Sequence, residues 1–125
     1  MADAVQVSES GVDFGDFLED DLFQIEKVLS DYVQLGEGIN KVEFILKSYY
    51  DGTSIVFVEA KSSIPRDSNK FFEEIKSKMI HSITVWFSAV AGRHSKLQDH
   101  LPKNHKNLNI LKLPIKLILV IPKVP

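Results

Sequence analysis

The sequence predicts a single α/β (α+β) domain in which a mixed β-sheet is flanked by helices, in the order helix–hairpin–helix–strand. Three observations predict it. Two stretches, residues 17–35 and 69–91, carry apolar residues at three- and four-residue steps, as amphipathic helices do. Between them, two short apolar runs flank Asp51-Gly52, a strong hairpin signal. A last apolar run at 115–121 follows the second helix, which then serves as the crossover to a parallel strand. A length of 125 residues suits one domain, residues 1–125, and 44% hydrophobic with 26% charged residues is a globular composition.

Taken in order, residues 1–13 are polar and weakly patterned, and are expected to be loose or to add a short edge strand. The first helix, 17–35, has Asp16 as N-cap and Glu19 three residues on, with acids in its first turn where the helix dipole favours them. Leu18, Leu22, Ile25, Leu29 and Tyr32 form its stripe, and Gly36 and Gly38 stop it. The hairpin strands are 41–49 and 54–62. Their even positions (Val42, Phe44, Leu46, Val56, Val58, Ala60) are apolar, whereas the odd ones mix Ile45, Ile55 and Phe57 with Glu43, Lys47, Glu59 and Lys61.

The second helix, 69–91, is capped by Asp67 or Ser68, ended by Gly92, and striped by Phe72, Ile75, Met79, Ile83, Trp86, Phe87 and Val90. Residues 93–110 form a long connection with one helical turn near 96–100. The closing strand is apolar on both sides except at Lys116, as a strand covered on both faces would be.

Several classes of chemistry drop out. With no cysteine, disulfides, thiolate metal sites and cysteine nucleophiles are excluded. The first ten residues have neither a basic start nor an apolar core, so no secretory signal is expected. The longest apolar stretch is broken by Lys116 and falls short of the ~20 residues of a membrane span. A cytoplasmic location and no membrane partner are therefore expected. Charge is graded: residues 1–31 carry nine acids against Lys27, 32–92 balance, and 93–125 carry seven bases against Asp99. A local positive surface follows, or mutual neutralisation of the two ends.

The informative segment is Glu59-Ala60-Lys61, at the end of an apolar strand. Both charges leave the same face, and burying them beside Ile55 and Phe57 is costly unless they pair or bind something. Register brings in Glu43. A two-residue turn pairs positions summing to 103 and sends Glu43 to the opposite face; a three-residue loop, Tyr50-Asp51-Gly52, gives 102 and sets Glu43 across from Glu59. Apolar even positions on both strands favour the even sum.

This arrangement resembles the PD-(D/E)XK nuclease superfamily, with its restriction-endonuclease-like core. Helix, hairpin bearing an acid and then (D/E)-x-K, second helix and further strand follow one another in the family's order from about residue 16 to 121. Glu59-Ala60-Lys61 supplies (D/E)-x-K, while Glu43 stands where the family has the Asp of a Pro-Asp pair. Asp51 is the other candidate for that acid, ranked lower because Asp-Gly in a turn needs no catalytic explanation. The resemblance also implies an acid from the first helix, Glu26 ahead of Glu19.

What it implies is metal-assisted phosphodiester hydrolysis of nucleic acid, DNA ahead of RNA. Glu43, Glu59 and Glu26 would hold Mg²⁺ (or Mn²⁺), and Lys61 would orient water or stabilise charge. Ser62 or Ser63 would support the shell, and the basic connection from Arg93 to Lys112 would hold the phosphate backbone. The rival reading is a catalytically inactive domain of this fold used to bind nucleic acid or protein. A homodimer, through the hairpin edge or the last strand, is compatible with either. His81 is read as a surface or boundary residue, His94, His100 and His105 as loop histidines without zinc spacing, and Trp86 as core.

Overall fold

The computed structural model describes residues 4–31, 41–47 and 54–121. Tyr32, Gly36, Gly38, Asp51 and the loop glycine Gly52 lie outside them. No helix among the described residues is long and apolar enough to cross a membrane.

The chain begins with a hairpin, β1 (Ala4–Glu9) and β2 (Val12–Leu18), closed by Ser10-Gly11. Both loop residues have positive φ, 50° and 79°, the conformation that matches a two-residue loop to the strand twist. The register shifts after Val7, so that Phe14 has no partner in β1 and turns its ring edge-on to Phe44 at 5.2 Å.

This corrects the first helix. Phe17 and Leu18 belong to β2, Leu22–Phe23 form the short β3, and α1 spans only Ile25–Asp31. Asp16 faces Gln6 across the hairpin instead of capping a helix, and Glu19 lies in the turn after β2. The helical spacing of Leu18, Leu22, Ile25 and Leu29 lost to strand pairing. Leu22 and Phe23 bury themselves beside Leu46 and Ile45, while Leu18 stays exposed.

Four strands, β3, β4 (Phe44–Lys47), β5 (Ile55–Ala60) and β6 (Ile115–Val120), form a mixed sheet in that order. β3, β4 and β5 are antiparallel, and β6 runs parallel to β5. The β4–β5 register runs from Phe44↔Val58 to Lys47↔Ile55. It is the even register that the in-phase apolar positions require. The even face (Phe44, Leu46, Val58) packs on Val7 and Phe17 of the hairpin. The odd face (Ile45, Ile55, Phe57) packs on α1 and on α2, Ser68–Val90. Helices thus flank one side, and a second β layer covers the other.

The α2 limits follow local chemistry. Asp67 accepts the Lys70 N–H at the start, and Gly92, at φ 79°, permits the left-handed stop. Its buried face is Phe71, Ile75, Met79, Ser82, Trp86, Ala89 and Val90. Phe72 is instead 49% exposed and Phe87 stands at the surface. Ser82 is fully buried on this face, its Oγ accepting the Val42 N–H at 2.8 Å.

The connection to β6 is ordered as α3 (Ser95–Asp99) and two 3-10 turns, Lys103–His105 and Leu108–Lys112. Its histidines correct the reading of plain loop residues. His94 caps α3 by accepting the Leu97 N–H. His105 is wholly buried: Trp86 Nε1 donates to its Nδ1 at 3.1 Å, and its Nε2 lies 2.7 Å from the Asp21 carbonyl. That pattern requires the neutral Nε2–H tautomer, and burial pushes its pKa down to about 4. His81 is exposed and Trp86 is core, as expected. β6 is the edge of the sheet among the described residues. Leu117 is 53% exposed, so the strand is not covered on both faces.

Candidate active site

The end of β5 carries the first charge. Glu59 lies between buried Val58 and Ala60 at the end of β5, and its side chain is fully buried. An isolated carboxylate there would be strongly disfavoured. Its Oε1 accepts the Ala60 N–H at 2.9 Å, and its Oε2 lies 2.8 Å from Lys78 Nζ of α2. Oε2 has no aligned hydrogen-bond donor besides this charge contact.

Lys61 continues the ladder, its N–H donating to the Val120 carbonyl, and so shares the face of Glu59. Its ammonium meets that of Lys78. This contact, and burial after it, lower the Lys61 pKa, with Glu59 and Glu43 working the other way. Burial also works against charge on Lys78, but its ion pair with Glu59, donation to the Lys61 amine and the nearby carboxylates outweigh burial and raise its pKa. Of the two lysines, Lys61 therefore gives up its proton first.

Glu43 leads into β4 and donates its backbone N–H to the Val58 carbonyl. Its carboxyl pKa is raised to about 9, first by burial, then by a hydrogen bond to the Glu26 carboxyl, then by the charges of Glu26, Glu59 and Glu9. Glu26 stands in the first turn of α1, where the helix dipole favours an acid. Glu9, Glu26 and Glu43 line an open cleft of about 340 Å³ together with Gln24, Lys27, Ser30 and Phe44. Ser10 ties the first hairpin to the same corner, its Oγ donating to the Ala60 carbonyl.

The structure therefore brings together Glu43, Glu59, Lys61 and Glu26. Glu19 does not line the cleft, and Ser62 and Ser63 are exposed. The basic connection does not flank the cleft. Asn104 bonds to Asp20 and Asp21, and Pro114 accepts from Ile55, so residues 103–114 lie at the Lys47–Ile55 end of the strands. Ile55 and Lys61 are six positions apart along an extended chain, about 20 Å. Charge counting along the sequence could not locate that segment.

Two charged neighbours, Lys78 and Glu9, were missed. Lys78 carried a faint signal, as a lysine beside Met79 on the border of the buried α2 stripe. Glu9 carried none until its strand was paired.

Among the described residues, no three His, Cys, Asp or Glu side chains are grouped as a ready cation cage. A two-carboxylate site does fit. Glu26 and Glu43 sit within hydrogen-bond reach of one another, so a divalent cation can replace the proton between them, and Mg²⁺ takes only one or two carboxylates and keeps its waters. Glu59 would be a third ligand only after leaving Lys78. Comparisons with protein-family models, curated proteins and solved structures found no match to this chain.

Proposed function

We propose that this chain is a Mg²⁺-dependent nuclease of restriction-endonuclease-like (PD-(D/E)XK) fold, hydrolysing phosphodiester bonds in nucleic acid, with DNA the preferred substrate. The order α1, β4, β5, α2, β6 supports the fold reading, because it sets an acid on one hairpin strand across from Glu-x-Lys on the other. One observation carries the function: carboxylates from α1, β4 and β5 meet two lysines at one corner of the sheet, and Glu43 touches Glu26 directly. Ionising both carboxyls in contact and partly out of water is costly, so Glu43 holds a proton that a divalent cation can replace.

Glu43 and Glu26 would hold the cation, with Glu59 behind them. A bound Mg²⁺ would supply charge neutralisation at the phosphate and a more acidic water. Lys61, with its lowered pKa, is suited to orient that water and take up its proton. Lys78 would face the negative charge that builds on the phosphate oxygens.

The rival reading, an inactive domain of the same fold that binds nucleic acid or protein, is favoured by the engagement of both Glu59 oxygens. Incubation with plasmid and single-stranded DNA over a range of Mg²⁺ and Mn²⁺ separates the two. Cleavage by the wild type, reduced ~100-fold or more in Lys61→Ala, is expected. Equal cleavage by both, or by neither, removes the catalytic reading.

A further inference from the structure

Lys78 lies outside the Glu-x-Lys motif and reaches Glu59 from a different element, α2. Its side chain is 19% exposed, and it reaches the fully buried Glu59 across the odd face of the sheet. Two features set this pair apart from an ordinary structural ion pair. Lys78 also lies beside Lys61 and lowers its pKa, an arrangement that a purely stabilising pair would avoid. And Lys78 is the single partner of Oε2 among the described residues, so a stronger cation has one contact to replace.

We propose that Lys78 is a positioning residue: its ammonium occupies Glu59 Oε2 in the resting protein, keeps that carboxylate out of the cation shell, and releases it when a divalent cation enters beside Glu43 and Glu26. The inference rests on the nuclease reading and deepens it. It accounts for a three-acid site in which only two carboxylates touch. Glu59, once released, completes the set that binds the cation. Lys78, once displaced, stays tethered on α2 beside Lys61, where two amines face an incoming phosphate. Lys78 thus couples cation entry to the arrival of positive charge at the substrate position.

The test is calorimetric titration of the full chain with MnCl₂ at neutral pH and fixed ionic strength. Removing the competing charge in Lys78→Gln is expected to tighten Mn²⁺ binding about tenfold, and Lys78→Arg, which keeps the pair, is expected to match the wild type. The double variant Glu59→Gln with Lys78→Gln should lose the gain. An unchanged or weaker affinity in Lys78→Gln overturns the inference while leaving the nuclease reading in place. Tighter binding without any DNA cleavage by the wild type supports Lys78 and removes the nuclease reading. Absence of binding in every chain removes both. A second measurement needs no variant: the side-chain Nζ resonance of wild-type Lys78 should move with added Mg²⁺ at the calorimetric midpoint, and an unmoved signal counts against release.

Discussion

Acid should unfold this protein through a single buried imidazole. His105 has no solvent exposure and is fixed neutral between Trp86 Nε1 and the Asp21 carbonyl. Its pKa falls from an ordinary 6.5 to about 4, because burial outweighs the favourable contacts with Asp21. The sign follows from proton counting. Below pH 6.5 the unfolded chain binds a proton that the folded chain refuses, so stability is full above 6.5 and drains away as pH falls towards 4.

Each pH unit in that window is worth about 1.4 kcal/mol, so about 3 kcal/mol is withdrawn in all. That is a large part of the ~5–15 kcal/mol typical of a domain. Urea unfolding of the wild type and of His105→Gln, at several pH values between 7 and 4, measures it. The variant is less stable at neutral pH, since it gives up the Trp86 contact, yet its stability should fall less steeply with acid. The quantity that matters is the difference in slope. Parallel curves, or an imidazole proton signal of His105 that titrates near 6.5 in the folded protein, would refute the reasoning.

Glu43 acts in the opposite sense. Its pKa is raised to about 9, so the folded chain keeps a proton that the unfolded chain loses, and stability declines as pH rises from about 4.5 towards 9. Glu43→Gln should therefore gain about 1 kcal/mol at pH 8, after discounting for its partial exposure, and none at pH 4; thermal melts at both values check this. Ser82→Ala removes the acceptor of the Val42 N–H and strands a buried donor, at a cost of about 1–3 kcal/mol in urea unfolding. Hydrogen exchange at Val42 should speed up in the same variant, and an unchanged rate would show that the amide finds another partner.

Much of the architecture was written locally. The α2 limits follow from Asp67 and Gly92, and the β4–β5 register follows from apolar residues in phase on two neighbouring runs. That register was enough to bring Glu43, Glu59 and Lys61 to one face, because strand parity is a local property. The first hairpin was legible in part, since Ser10-Gly11 sits between alternating residues. A competing three- and four-residue spacing across Leu18 to Leu29 pointed to helix, and only pairing with β1 and β4 decided the contest.

The remaining features are set by contacts between residues far apart along the chain. His105 becomes a core residue because Trp86, 19 positions before it, and Asp21, 84 before it, close around it. Lys78 pairs with Glu59 because α2 crosses the odd face where β5 ends. Sequence alone determined which side chains could share a strand face or a helix stripe, since the backbone repeat enforces that. Only the tertiary structure decided which of those faces met, because burial and charge pairing act through space and not along the chain.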